Sequence, residues 1–382
     1  MSRIYFFCCA LPTMILIPLW VLLWAPLANM GFTDDKAIID AQRYFYGYST
    51  NKFDVSLPIT HYCYSWNDCL HNYIYSFSHT YFKSGLPVNL FIYFCISCFV
   101  LRLISFYASS FRLSTNTTYS KLAIILSVFY NPFLLVYSSV PSKELLSTFF
   151  IVLSIMYLQY LRRVLGVKTK NLAPKRINFI YLLLALILGL ILFYVIFSYR
   201  FQLLPVSIVI GLVFAFRARI ALFSFKIRIN FSRLLLIALL FVSCVLFLLN
   251  SNFIEINLFN KSNLVYLLAP FNFPFFINPS IFNAFFSRDA TLLFWFSFAT
   301  QLNGFIVTVF FIANLNRKCL SSASFILLIL SSLVGYLYGD QSARYTTLIS
   351  YFSLVSMVID FLCLAVGLQF LAHQNDSADY AQ

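Results

Sequence analysis

The stretch Asn131–Leu161, NPFLLVYSSVPSKELLSTFFIVLSIMYLQYL, decides the fold. Two apolar runs flank the adjacent charges Lys143 and Glu144, which follow a Pro-Ser pair. Two charges between such runs are costly unless they reach water or bind something, so their meaning depends on which side of a membrane they face. Working outward, the same alternation of apolar run and short polar break covers the chain. Of its 382 residues 61% are hydrophobic and only 10% charged, with a mean hydropathy of +0.85. Soluble domains carry about 25% charged residues, so the composition is that of an integral membrane protein.

A helical span needs roughly 20 apolar residues. The sequence offers ten: 4–28, 87–108, 120–138, 145–161, 178–197, 201–216, 233–250, 291–313, 320–338 and 346–372. The expected fold is all-α, a polytopic bundle of about ten transmembrane helices forming one membrane domain over 1–382. The first apolar run exceeds the 7–15 residues of a signal-peptide core and is expected to stay as an anchor. Two connections are long: 29–86, polar and Tyr-rich, and 251–290, rich in Phe, Asn and Pro. The second suits either a re-entrant plug at the membrane interface or a binding loop.

The net charge of +14 is distributed by side. Arg3; Arg102, Arg112 and Lys121; Arg162, Arg163, Lys168, Lys170, Lys175 and Arg176; Arg217, Arg219, Lys226, Arg228 and Arg233; and Arg317 and Lys318 fall on the side of the N-terminus. Most acids fall opposite: Asp34, Asp35, Asp40, Asp54, Asp68, Glu144, Glu255, Asp289 and Asp340. By the positive-inside rule both termini are cytoplasmic and the long connections lie outside. Insertion bias and attraction to anionic lipid explain the basic loops, and nucleic acid is excluded as a partner.

The outer charges are the candidates for chemistry. Asp34 and Asp35 follow the first span; adjacent carboxylates of this kind hold a divalent cation or serve as a general base. Asp40 and Arg43 lie on a weakly amphipathic stretch. Lys143, Arg200, Arg288 and Arg344 stand on four different outer connections, and arginine in particular offers a planar fork to phosphate oxygens. Glu144 is favoured at a helix start by the dipole, whereas Lys143 is not. The segment HYCYSWNDCLH, 61–71, allows a Cys63–Cys69 disulfide or, with His61 and His71, a zinc site of unusual spacing. Asp360 is the one clear charge inside a span, which disfavours a coupled transporter. No P-loop, Rossmann, GxSxG, HExxH or EF-hand motif is present.

Three stretches carry a resemblance: FTDDKAIIDAQRYFYG after the first span, YNPFLLVYSSVPSKELLSTFFIVLSIMYL around the Lys143-Glu144 turn, and SARYTTLISYF before the last helix. In these the chain resembles surface-polysaccharide repeat-unit polymerases of the O-antigen type (Wzy, EpsG-like), with the layout of GT-C glycosyltransferases. The resemblance implies a bacterial inner-membrane enzyme that joins undecaprenyl-pyrophosphate-linked oligosaccharides, for O-antigen or capsule, on the periplasmic face. Lys143, Arg200, Arg288 and Arg344 would hold the diphosphate. Asp34, Asp35 or Glu144 would be catalytic, with Asp40, Arg43 and Tyr345 as further contributors. A chain-length regulator and a flippase are the implied partners. The alternatives are a GT-C transferase adding one sugar from a polyprenyl-phosphate donor, or a flippase for the lipid-linked oligosaccharide. The chain departs from the GT-C pattern in its Asp-Asp spacing and in having no large outer C-terminal domain.

The charge pattern makes a direct prediction. Reporter fusions after Arg163, Arg219 and Lys318 are expected to fluoresce as cytosolic fusions, and alkaline phosphatase fused after Asp54 or Glu144 to be active outside. Asp34, Glu144 and Arg344 found on different sides would remove the shared outer site.

Overall fold

The computed structural model describes residues 2–29, 69–107, 126–140, 143–164, 179–200, 203–220, 270–271, 291–317, 320–338 and 346–362. Among them the regular structure is entirely helical. The N-terminal helix α1 runs over 2–29, with a π-helical turn at Phe6–Ala10. There follow α2 (Cys69–Phe82), α3 (Leu86–Tyr107), α4 (Pro132–Ser138), α5 (Lys143–Val164), α6 (Phe179–Tyr199), α7 (Leu203–Ile220), α8 (Thr291–Asn316), α9 (Ser322–Tyr338) and α10 (Thr346–Leu362).

Four stretches are long and apolar enough to cross a membrane: Arg3–Leu23, Leu86–Tyr107, Lys143–Arg162 and Phe298–Asn316. Shorter apolar helices occupy Leu126–Ser138, Leu183–Tyr199, Leu203–Arg217, Ser322–Gly335 and Thr346–Leu362. Each falls on one of the expected spans, and the protein is an all-α, multi-pass membrane protein. The expected span 233–250 and most of the 251–290 connection lie outside the described residues. The third span is not continuous. Pro132 lacks an N–H, and the Asn131 side chain takes over at the break, accepting from the Phe133 N–H at 3.1 Å.

The chain forms two compact units. One comprises Thr13–Phe99 and Tyr137–Ala218. In it α5 packs on α6 where Gly189 leaves room for Tyr157, whose hydroxyl donates to the Ala185 carbonyl at 3.1 Å. Small residues at such contacts let transmembrane helices approach closely. Arg162, near the end of α5, donates to the Ala215 carbonyl of α7 and lies over the Phe216 ring. The rest of α6 is apolar and widely exposed, from Leu183 to Phe197, as suits a lipid-facing helix.

The other unit comprises Met1–Pro12, Val100–Val136 and Arg219–Gln382. Its centre is α10, almost wholly buried despite carrying Thr346, Thr347, Ser350, Ser353, Ser356 and Asp360. Polar groups away from water must find partners within the protein, and most of these do, the Tyr351 hydroxyl of α10 excepted. Asn131 donates to Asn303 at 2.7 Å, and Asn303 donates to Ser350 at 2.9 Å, joining three helical segments. Asn314 donates to the Met357 carbonyl at 3.1 Å. The Tyr130 hydroxyl donates to the Phe7 carbonyl at 3.0 Å, inside the π-helical turn where the backbone ladder is irregular.

Asp360, expected as a charge inside the last span, lies in α10 and caps a neighbouring helix. Helices α9 and α10 run antiparallel, with the Ser331 hydroxyl on the Thr346 carbonyl, Ser324 on Ser356, and Ser321 on Asp360. The Asp360 carboxylate therefore lies at the beginning of α9, where it accepts from the Ser321 N–H (3.0 Å) and the Ser321 and Ser324 hydroxyls. A carboxylate there satisfies orphan donors of a helix start and meets the positive end of the helix dipole. Arg317, just before that start, lies over the Phe361 ring at 4.1 Å.

Asp360→Ala removes the acceptor but leaves the donors buried. It is expected to lower stability by about 2 kcal/mol, read as earlier thermal aggregation in detergent, with Asp360→Asn falling between the two. Wild-type stability of the Ala variant would show that the carboxylate is not the cap.

Candidate functional site

The site begins with a helix inside the first long connection. Helix α2 has 14 residues, about 21 Å at 1.5 Å per residue, and is too short to cross a membrane. One face buries His71, Tyr75 and Ser78; the other exposes Phe77, Tyr81 and Phe82. That i, i+4, i+7 spacing is one helical face. The helix stops at Lys83, whose φ of 57° is the left-handed conformation that closes many helices. Ser84 then stitches the bend: its carbonyl accepts from the Ser78 hydroxyl at 2.7 Å, and its hydroxyl accepts from the Leu86 N–H at 3.1 Å.

The bend turns α2 back so that Tyr75 lies against the start of α3. Gly85 permits this approach, since a methyl group there would sit 2.9 Å from a Tyr75 ring carbon and 3.3 Å from Trp20. The Tyr75 hydroxyl donates to the side-chain oxygen of Asn89. Asn89, fully buried, donates its amide protons to the carbonyls of Ser138 (2.7 Å) and Val140 (3.1 Å). The His71 ring packs on the Tyr75 ring with centroids 4.5 Å apart.

Helix α5 starts at Lys143, with Glu144 in its first turn. The Lys143 carbonyl accepts from the Tyr199 hydroxyl at 3.0 Å and from Ser147 at 2.8 Å; Thr148 donates to the Glu144 carbonyl at 2.8 Å. Phe150 packs on Tyr199 at 5.2 Å. Glu144 is buried, only 4% exposed, while Lys143 is half-buried. Burial pushes the Tyr75 phenol well above its ordinary value of 10.0, and the neighbouring Tyr199 and Glu144 push it further. A carboxylate thus lies electrostatically close to a phenol that stays protonated, at the positive end of a helix and next to an ammonium group. Such a set can move a proton and hold an anion.

Of the residues expected to carry function, the structure brings together Lys143, Glu144 and the segment bearing Arg200. Arg200 follows Tyr199 directly, and Tyr199 is bonded to the start of α5. Asp34, Asp35, Asp40, Arg43, Arg288, Arg344 and Tyr345 lie outside the described residues, as do His61 and Cys63. Among the described residues no group of three or more His, Cys, Asp or Glu is placed to hold a metal. His71, a candidate zinc ligand in sequence, is buried with its ring on that of Tyr75.

Tyr75, Asn89 and Tyr199 were not among the expected site residues. The signals for them exist: a 71-75-78 face in a polar segment, and an isolated Asn in the apolar run LPVNLFIYF. Comparison with protein-family models, curated proteins and solved structures finds no match.

The Tyr75 environment has a pH signature. Its folded-state pKa lies above the unfolded value, so its stabilising contribution is complete below about pH 10 and is lost as pH rises beyond that. Stability in detergent is expected to fall above pH 10 more steeply in the parent than in Tyr75→Phe. Identical profiles for the two proteins would place Tyr75 outside a dry, anion-flanked site.

Proposed function

We propose that this protein is a polymerase joining lipid-linked oligosaccharide repeat units at the outer face of the bacterial inner membrane. The observation that carries the proposal is the start of α5, where a buried carboxylate and a half-buried ammonium group share the first turn of a membrane helix. The helix dipole favours Glu144 there and opposes Lys143. An anionic ligand removes that opposition, and the diphosphate of a polyprenyl-linked sugar is such a ligand at a membrane surface.

In this reading Lys143 and Arg200 neutralise charge that develops on the diphosphate as the sugar–phosphate bond breaks. A carboxylate, Glu144 or one of Asp34 and Asp35, accepts the proton of the attacking sugar hydroxyl. One glycosidic bond forms, one sugar–phosphate bond breaks, and polyprenyl diphosphate leaves. The resemblance of the Lys143-Glu144 turn and of SARYTTLISYF to repeat-unit polymerases supports the same assignment. The use of Asp360 as a helix cap supports an enzyme over an ion-coupled flippase.

Deletion of the gene is expected to reduce a long polysaccharide ladder to the single-repeat product. Lys143→Ala is expected to do the same while the protein remains in the membrane at parental level. An unchanged ladder on gels of the deletion strain would overturn the proposal, and a ladder of normal length but altered sugar composition would instead indicate a single-sugar transferase.

A further inference from the structure

We propose that Asn89 is a positioning residue, whose carboxamide, oriented by Tyr75, fixes the 138–140 segment and with it the place of Lys143 and Glu144. The inference rests on the polymerase reading for what the charged pair does; the clamp itself rests on hydrogen-bond geometry.

A carboxamide has two N–H donors and one carbonyl acceptor, and Asn89 has a partner for each. Its nitrogen faces the carbonyls of Ser138 and Val140, which only accept, and its oxygen faces the Tyr75 hydroxyl. The orientation of the amide is therefore determined by its surroundings. Ser138 is the last residue of α4, so its carbonyl is one of those a helix leaves without an intrahelical donor. Asn89, coming from α3, supplies that donor, and its second bond reaches Val140, three residues before Lys143.

The far end of the same connection is held independently, by the Tyr199 hydroxyl on the Lys143 carbonyl. Asn89 and Tyr199 thus grip the connection on either side of the α5 start. Tyr75 cannot relax away easily, because Gly85 lies against its ring and His71 packs on its face. Neither Leu nor an ionised Asp at position 89 reproduces the two donated bonds, although both fit the volume. A residue that acts on Lys143 and Glu144 through the backbone in this way governs chemistry by placement, and a small misplacement of reacting groups is costly in rate.

The experiment uses the full-length protein, purified in detergent, with Lys143→Cys introduced into the parent, Asn89→Leu and Tyr75→Phe backgrounds. The rate of modification at position 143 by a charged methanethiosulfonate is measured against the same proteins without the new cysteine. Extension of lipid-linked repeat units is measured separately, with Lys143 in place. Asn89→Leu is expected to change the modification rate about tenfold, and Tyr75→Phe to change it less but in the same direction. Extension per folded protein is expected to fall about a hundredfold in Asn89→Leu. A tie that only stabilises the fold would lower the yield and leave the modification rate of the folded fraction unchanged, which overturns the proposal. If Asn89→Leu does not fold, Tyr75→Phe decides, and an unchanged rate there overturns it equally. A changed modification rate in a protein whose parent extends no chains sustains the clamp and overturns the polymerase reading instead.

Discussion

In hydrocarbon, a backbone carbonyl or side-chain amide has no water to fall back on, and each one left without a partner costs several kcal/mol. This constraint shapes every polar contact described here. Side-chain amides are well suited to it because one group both donates and accepts. Asn131 and Asn303 form a chain of amides ending on Ser350, Asn314 reaches the Met357 carbonyl, and Asn89 serves two carbonyls and one hydroxyl. Each bond contributes only about 1 kcal/mol net. The larger effect is exclusion: any arrangement of helices that separates these partners leaves several buried polar groups unmet at once.

The same constraint makes the charged helix start of α5 a rigid place. Its first carbonyl is bonded to Tyr199 and Ser147, its second to Thr148, and the segment before it is bonded to Asn89. Functional groups perform best when the residues beneath them are themselves locked. Lys143 and Glu144 are therefore supported by α3, α6 and their own helix, and Tyr75 of α2 is electrostatically close to Glu144.

The spans were legible in the sequence because the signal is local: a run of apolar residues is long enough or it is not. The break at Asn131-Pro132 interrupts the expected span 120–138, although its signal was local, since proline removes a donor wherever it stands. Helix α2 was hidden in a connection whose composition is polar and Tyr-rich, and its three-residue buried face is too short to dominate the pattern. The partners of Asn131 and Asn303 are 172 residues apart, and no local rule couples them. Asp360 was read as a charge inside the last span, and it lies buried in α10. Position along an apolar run does not say which neighbouring helix start a carboxylate meets, and here it meets that of α9. Of the candidate site, the charged pair was readable and its supports were not, because the pair is adjacent in sequence whereas the supports come from four different helices.

Lys143 is the residue that the helix dipole does not explain. A chain selected only to insert and pack would place a neutral or acidic residue in the first turn of α5, where the dipole disfavours a cation by about 0.3–1 kcal/mol. Glu144 obeys that rule and is buried; Lys143 breaks it and keeps part of its surface exposed. The surrounding structure does not loosen to accommodate the exception. It fixes the backbone at that residue with a tyrosine hydroxyl and fixes the preceding segment with an asparagine. A residue that breaks a local rule at a position the fold holds firmly is a candidate for function. For a half-buried ammonium group beside a buried carboxylate, we propose that this function is the binding of an anionic diphosphate.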